Sequence, residues 1–166
     1  MTKSKLTGER CRELLSYDSA TGLLIWRVDR LPNARAGNVA GSYNRGYWQI
    51  TIDGERHRAH RIMWLMVHDR WPAGGIDHAN GDGMDNRLEN LREADQHQNN
   101  ANQRRNIKNT SGFKGVSFAK HAKRWRAQIQ IHGHLKNLGY FDTPELAHAR
   151  YMEVATVAFG KFARAG

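Results

Sequence analysis

The residue types best suited to chemistry in this chain lie in one stretch, residues 75–100. The stretch begins with the pair Asp77 and His78, crosses a loop rich in Gly, Asp and Asn, and reaches Asn90 and Asn99. A carboxylate and an amide offer the oxygen ligands that hard divalent cations take, and an imidazole accepts a proton near neutral pH. If the flanking elements fold back on each other, we expect Asp77, His78 and Asn99 to converge into a cation site beside a proton acceptor.

A loop of this composition could also serve turn formation or calcium binding. Asp and Asn commonly cap turns and helices, which accounts for any one of these residues but requires neither the histidine nor the later amides. A calcium-binding EF-hand loop starting at Asn80 fails, because its twelfth position is Leu91, where glutamate is needed. The ordered set of residues therefore favours a catalytic site over turn chemistry alone.

Three sequence pieces stand in order along residues 58–102: Asp-His, Asp-Asn-Arg-x-x-Asn-Leu-Arg and Gln-x-Asn-Asn. This order resembles the HNH endonuclease motif, in its His-Asn-Asn form, of phage and intron-encoded nucleases. The resemblance implies a ββα-metal fold in which His78 is the general base that activates water. It further implies that Asp77 and Asn99 are the metal ligands, and that Asn90 holds the loop and orients the histidine. The implied cofactor is a single Mg²⁺ or Mn²⁺ that stabilises the departing 3′ oxygen, and no zinc is expected.

The elements ahead of the motif are predicted from residue periodicity and turn chemistry. They are a helix over residues 7–16 with Thr7 as its N-cap, a strand over 23–27, a hairpin over 47–59 with its turn at Asp53–Gly54, and a helix over 60–68. This front part also resembles the region that precedes the motif in phage HNH proteins. Its sheet is expected either to lie along DNA or only to support the nuclease core. In the first case the phosphate contacts are Arg27, Arg45, Tyr47, Arg56 and Arg58.

The motif is expected to end in a helix that carries Asn99. Asp95 is the predicted N-cap, and the helix is predicted to run to Asn106. The following polar stretch contains Arg104 and Arg105, has no apolar periodicity and is predicted to be a basic linker along the phosphate backbone.

The C-terminal part has the pattern of three strands followed by a helix. The strands are predicted over residues 113–118, 125–132 and 135–141, and the helix opens with Thr143 as cap and Pro144 at its first position. Residues 111–163 resemble the AP2/ERF DNA-binding domain through Ser-Gly-Phe-Lys-Gly-Val, Arg-Trp-Arg-Ala-Gln-Ile and Leu-Gly-Tyr-Phe-Asp-Thr-Pro-Glu-Leu-Ala. The resemblance implies that the sheet lies in the major groove of DNA.

The residues expected to contact DNA in this part are polar or basic. They are Lys114, Arg124, Arg126, Gln128 and Gln130, together with Arg104 and Arg105 of the linker. Period 2 places Trp125, Ala127, Ile129 and Ile131 against the helix, so the polar residues between them face outward. Ser117, Ala119 and Asn137 depart from residue types common in the AP2/ERF family, so its known target sequences do not transfer. Base readout and a grip on phosphates alone both remain open.

The charge of the chain points to a polyanionic partner. The net charge is +10, and residues 104–166 hold 12 Lys or Arg against 3 Asp or Glu. Such asymmetry is typical of a nucleic-acid-binding module. The single cysteine, Cys11, excludes a disulfide framework and a Cys-based zinc knuckle. The N-terminus has no apolar run typical of a secretory signal and no stretch reaches about 20 apolar residues, so a cytoplasmic protein without membrane contact is expected.

These patterns predict an α+β fold with four parts. They are a β-rich N-terminal region at 1–58, an HNH ββα-metal core at 59–103, a basic linker at 104–111 and an AP2-like domain at 112–166. The predicted function is a metal-dependent endonuclease of phage or homing type that acts on double-stranded DNA. The sequence leaves the oligomeric state open, with a monomer favoured. The alternatives are a non-catalytic DNA-binding regulator and an RNA-binding or RNA-cleaving protein.

Overall fold

A capped helix opens the part of the chain that the structure describes. The structure is a computed structural model that covers residues 6–32 and 34–166. Thr7 Oγ1 accepts a hydrogen bond from the backbone N–H of Arg10 at 3.2 Å, and helix α1 follows at Gly8–Leu14. The side-chain oxygen satisfies one of the backbone donors that a helix start leaves unpaired. The N-cap predicted at Thr7 is confirmed.

The chain divides into two compact units, residues 1–93 and 94–166. In chain order the elements up to the boundary are α1, β1 Leu15–Asp18, β2 Leu23–Trp26, β3 Ser42–Asn44, β4 Tyr47–Ile52, β5 Glu55–Arg58, α2 Ala59–His68, β6 Gly75–His78, a 3₁₀ turn Leu88–Asn90 and β7 Leu91–Ala94. Strands β1 and β2 form an antiparallel hairpin, β3, β4 and β5 form an antiparallel sheet in that order, and β6 pairs with β7.

Strands β1 and β3 were not expected from the sequence. The first helix was predicted to run to residue 16, with the next element a strand over 23–27, but Leu15 pairs with Trp26 and Asp18 with Leu23. No element was predicted between the strand over 23–27 and the hairpin over 47–59, but Ser42 pairs with Gln49. Both strands are too short for residue periodicity to identify them. They form because a neighbouring strand supplies the backbone hydrogen bonds.

One apolar core holds the first unit together. Helix α2 presents Ile62, Leu65 and Met66 inward, and their exposed fractions are 0%, 2% and 8%. The same core contains Leu15 and Leu24 of the hairpin, and further members are Cys11, Leu14, Trp26, Ile50, Ile52, Met63, Trp64, Ile76 and Leu91. Because the hairpin, the sheet, α2 and β6 share one core, the strand that ends in His78 rests on the whole of this unit.

The second unit begins at Ala94 and contains the predicted sheet and helix. Its elements are α3 Gln96–Asn102, β8 Val116–Ala119, β9 Arg124–Ile131, β10 His134–Phe141, α4 Pro144–Phe159 and a 3₁₀ turn Gly160–Phe162. The sheet is antiparallel in the order β10, β9, β8. Thr143 Oγ1 accepts from the N–H of Leu146, with Pro144 at the first helical position, so the predicted start of α4 is confirmed.

The two faces of β9 differ as its alternation predicts. Ala127 packs in a cluster with Val116 and Ala147, and Ile129 packs in a cluster with Tyr151 and Ala155 of α4. The partly buried Trp125 and Ile131 join the same two clusters, while Arg126, Gln128 and Gln130 alternate with them on the opposite face. The predicted three-stranded antiparallel sheet backed by one helix is confirmed.

Helix α3 is shorter than predicted and belongs to the second unit. It ends at Asn102, before the expected Asn106. The ammonium group of Lys114 donates to the carbonyl oxygens of Ala101 and Gln103, which occupies backbone acceptors at this end of the helix. Ala101 packs with Ala94 and Phe162 in one apolar cluster. The unit boundary falls between residues 93 and 94, ahead of α3, and the predicted boundaries at residues 58, 103 and 111 stay a prediction.

No helix within residues 6–32 and 34–166 has the length and apolar character needed to cross a bilayer.

Candidate active site

Strand β6 ends at His78, and the loop that follows is closed at its base. The N–H of Ala79 donates to the carbonyl of Asn90 at 2.8 Å, which joins the first residue of the loop to its last. Asp77 and His78 are both buried, with exposed fractions of 6% and 5%. Burial of two polar side chains at the end of a short strand is costly unless each has partners, so their contacts define the site.

Asn90 ties the two halves of the loop together. Its Oδ1 accepts from the N–H of Asn80 at 2.9 Å, and its Nδ2 donates to the carbonyl of Asp85 at 2.7 Å. The side chain is 7% exposed and uses both ends of its amide on the loop backbone. This geometry suits a residue that fixes the loop. Its assignment as a catalytic residue stays a prediction.

The imidazole of His78 contacts a different asparagine. Its Nε2 lies 3.0 Å from Oδ1 of Asn86, and Asn86 is 3% exposed. An amide oxygen only accepts, so this contact requires a proton on Nε2 and leaves the lone pair of the neutral ring on Nδ1. The resemblance to the HNH motif assigned the orientation of the histidine to Asn90 and gave Asn86 no role. Only the position of Asn86 inside the motif could have drawn attention to it.

Two further rings surround His78. The ring of His60 lies edge-on at 5.0 Å between centroids, and the ring of Tyr47 lies at 6.2 Å. Burial lowers the pKa of His60 to about 3, and the positive charge of Arg58 adds to this effect. His60 is therefore neutral at neutral pH and places no positive charge beside the imidazole of His78.

Asp77 forms an ion pair with the guanidinium of Arg92. Oδ2 of Asp77 accepts from Arg92 Nε at 2.8 Å and from Nη2 at 2.7 Å, and the Asp77 side chain is 7% exposed. A carboxylate is the right donor for a hard cation, and Mg²⁺ commonly uses one or two carboxylates and keeps several waters. The donor chemistry therefore fits, provided that the cation shares this carboxylate with Arg92. Among the residues that the structure describes, no group of three or more His, Cys, Asp or Glu forms a metal cluster.

Asn99 lies on α3, in the second unit. Asp95 caps this helix in a capping box, because its carboxylate accepts from Gln98 N at 2.8 Å and the Gln98 side chain accepts from Asp95 N at 2.9 Å. The predicted cap is confirmed, and it fixes where the helix begins. The role of Asn99 as a metal ligand stays a prediction of the motif.

The outer face of the β3–β4–β5 sheet carries a polar cleft of about 550 Å³. Gln49 lies opposite Arg58 in the register, and Thr51 lies opposite Arg56, so both arginines share this face. The guanidinium of Arg58 lies 4.2 Å above the ring of Tyr47, which is the ring that contacts His60 and His78. The cleft is lined by Asn44, Arg45, Tyr47, Gln49, Arg56 and Arg58. A face rich in arginine thus adjoins the histidine.

The residues expected to contact DNA in the second unit have varied surroundings. Burial lowers the pKa of Lys114 to about 8, and its ammonium binds the end of α3. Arg124 forms an ion pair with Asp142 at 2.7 Å, and Gln130 donates to the carbonyl of Gly133 at 3.2 Å.

The remaining predicted contacts lie on the sheet and in the preceding segment. Nε of Arg126 is buried without a hydrogen-bond partner, as is Oγ of its cross-strand neighbour Ser117. Gln128 lines a cleft of about 400 Å³ in this unit. Arg104 is exposed, and Arg105 donates to the carbonyl of Asn109 at 2.9 Å.

Comparison with known proteins gives two matches. Residues 57–101 match the family model described as HNH endonuclease. Over 108 residues the chain is 32% identical to protein 3.8 of Escherichia phage T7, and the match covers 64% of this chain and 88% of that protein. No solved structure matches. The family match spans β6, the loop, β7 and nearly all of α3, so the HNH resemblance seen in the sequence is supported, whereas neither match supports the AP2-like resemblance.

Proposed function

We propose that this chain, which belongs to the family of phage T7 protein 3.8, is a metal-dependent DNA endonuclease. The proposal starts from the HNH endonuclease domain at residues 57–101. The observation that carries the proposal is the setting of His78. This histidine ends a buried strand, touches Asn86 through Nε2, and lies beside a face rich in arginine. A general base next to a phosphate-binding face is what hydrolysis of a phosphodiester requires.

In this proposal His78 accepts the proton of the attacking water. Asn86 Oδ1 holds the proton on Nε2, so Nδ1 carries the lone pair that receives the water proton. The neutral His60 ring and the Tyr47 ring restrict the orientation of the imidazole, because both contact it. Asn90 keeps the loop in place through its bonds to Asn80 and Asp85. Pre-organisation of this kind lowers the barrier without tight binding by the base itself.

We assign Asp77 and Asn99 as the residues that would hold one Mg²⁺ or Mn²⁺. When bound, the cation supplies charge stabilisation to the departing 3′ oxygen. Arg92 orients the Asp77 carboxylate through its two bonds to Oδ2. Two oxygen donors of this hardness favour magnesium or manganese over zinc, which prefers nitrogen and sulfur ligands.

Double-stranded DNA is the proposed partner. The cleft with Arg45, Arg56 and Arg58 adjoins Tyr47, so a phosphate backbone lying on this face passes close to His78. Arginine side chains bind phosphate oxygens through charge-assisted hydrogen bonds. This favours the DNA-contact role of the N-terminal sheet over a purely supporting one.

The sheet of the second unit is proposed to add affinity and position in the manner of an AP2-like domain. Arg126 supports this, because it is a basic residue on the face of the sheet opposite α4. Replacing Arg126 by Gln should weaken DNA binding. Arg150→Gln is the matched control, because Arg150 lies on α4 and pairs with Glu153 at 2.8 Å. DNA binding is measured by fluorescence anisotropy, and equal affinities of the two variants would show that the sheet does not contact DNA.

A non-catalytic DNA-binding regulator is the second candidate function, and the net charge of +10 is what favours it. The two functions differ in one experiment, in which supercoiled plasmid is incubated with the protein and Mg²⁺, Mn²⁺ or excess EDTA. The nuclease proposal predicts open-circular or linear DNA with either metal and none with EDTA. DNA binding without any cut product in either metal would favour the regulator. Cleavage in excess EDTA would show that the reaction needs no divalent metal.

A further inference from the structure

The N-terminal hairpin contacts the backbone of the loop that carries Asn86. The Tyr17 hydroxyl accepts a hydrogen bond from Leu88 N at 3.0 Å and lies 3.5 Å from the carbonyl oxygen of Asn86. Gly22, at the turn end of the hairpin, has a φ of +74°. A Cβ at Gly22 would lie 2.6 Å from Arg87 N and 2.7 Å from the carbonyl carbon of Asn86. Two residues of the hairpin therefore fix three consecutive residues of the loop.

The fixed backbone places the Asn86 side chain against His78. Both side chains are buried, and Asn86 Oδ1 lies 3.0 Å from His78 Nε2. A shift of the Asn86 backbone by even a few tenths of an ångström would lengthen this bond, because a buried amide has little room to compensate. The tautomer and the ring orientation of His78 thus depend on contacts made by residues 15–26.

We infer that the β1–β2 hairpin is a positioning part of the active site, in which Tyr17 and Gly22 hold Asn86 so that it fixes the proton of His78 on Nε2. Neither Tyr17 nor Gly22 lies within residues 57–101, the part that matches the HNH model. The working nuclease site therefore extends into the hairpin. This inference rests on the proposed function for its catalytic meaning, but its structural content concerns only the first unit.

The test is a ¹⁵N and ¹H NMR measurement of the His78 ring in the full-length protein, without DNA or metal. The wild type should show the Nε2–H tautomer and an Nε2–H proton that exchanges slowly with water. Asn86→Ala should remove the slow exchange. Tyr17→Phe keeps the ring but deletes the hydroxyl, and it should speed exchange about three- to tenfold, as loss of one hydrogen bond implies.

Tyr43→Phe is the matched control for Tyr17→Phe. Tyr43 lies on β3 with 62% of its surface exposed, so the same deletion there should leave the exchange rate unchanged. An Nδ1–H tautomer in the wild type, or equal exchange rates in Tyr17→Phe and Tyr43→Phe, would overturn the inference. Because the readout needs no cleavage, it separates failure of this inference from failure of the proposed nuclease function.

A kinetic measurement completes the test if the plasmid is cut. Tyr17→Phe should then lower the single-turnover cleavage rate while leaving the Kd for DNA unchanged, because the hydroxyl acts on the base through Asn86. Loss of DNA affinity with an unchanged cleavage rate would contradict a positioning role.

Discussion

Gly22→Ala should destabilise the first unit more than an alanine at any open glycine with positive φ. Gly22 has a φ of +74°, and its new Cβ would meet the backbone of residues 86 and 87 at 2.6–2.7 Å. Gly54, in the turn between β4 and β5, has a φ of +82°, and a Cβ added there would have nothing within 4 Å. The pair therefore separates backbone strain, which both variants share, from steric contact with the loop, which only Gly22→Ala introduces.

The two costs have different sizes. A non-glycine residue in the left-handed region costs about 1–2 kcal/mol, which is the whole effect expected for Gly54→Ala. Forcing a methyl group into a filled space adds about 1–3 kcal/mol, because here the atoms it meets are backbone and cannot rotate away. Gly22→Ala should therefore cost about 2–5 kcal/mol of the free energy of unfolding.

Urea unfolding followed by tryptophan fluorescence measures this difference. Trp26, Trp48, Trp64 and Trp71 belong to the first unit, and only Trp125 belongs to the second, so the signal reports mainly on the unit that contains the hairpin. Equal losses of stability in Gly22→Ala and Gly54→Ala would show that the hairpin does not press on the loop, and the reasoning for the positioning role would fail.

Two other predictions concern charge. Arg56→Gln should make the slope of log K against log salt for DNA binding less steep by about 0.9, because one phosphate contact is lost. Arg10→Gln removes an arginine already paired with Asp53 and Glu13, so it should leave the slope unchanged. Glu93 has its pKa lowered to about 2 by the bidentate bonds from Arg70. This folded-state pKa lies below the unfolded pKa of about 4.3. The contribution of Glu93 to stability is therefore present above about pH 4.3 and is lost as the pH falls towards about 2. The urea midpoints of wild type and Glu93→Gln should therefore converge between about pH 5 and about pH 2, and a constant difference would refute the assignment.

Local sequence patterns were enough for the long elements and their caps. Helix α2 has apolar residues at helical spacing, β4 alternates and ends at a turn pair, and the caps at Thr7, Asp95 and Thr143 follow from side chains that accept backbone N–H bonds. These features depend only on neighbours in the chain, so they can be deduced without a structure.

Contacts between one element and the next were not visible in the sequence. Strand β1 exists because it pairs with β2, and α3 stops at Asn102, where Lys114 binds its last carbonyls. Asn86 is the clearest case within the site, since its partner His78 is eight residues away across a folded loop. Nothing in the residue types distinguishes Asn86 from the several other amides of the motif, so only the fold selects it.

Cleavage by His78→Ala tests the central claim most directly. Single-turnover cleavage of plasmid DNA with Mg²⁺ is measured beside the Kd for the same DNA, with His134→Ala, an exposed histidine on β10, as the control. We expect His78→Ala to lose cleavage by at least about 10²-fold, the usual contribution of a general base, with DNA affinity unchanged and with full activity in the control. Cleavage by His78→Ala at the wild-type rate, or a matching loss of affinity, would contradict the assignment of His78 as the base.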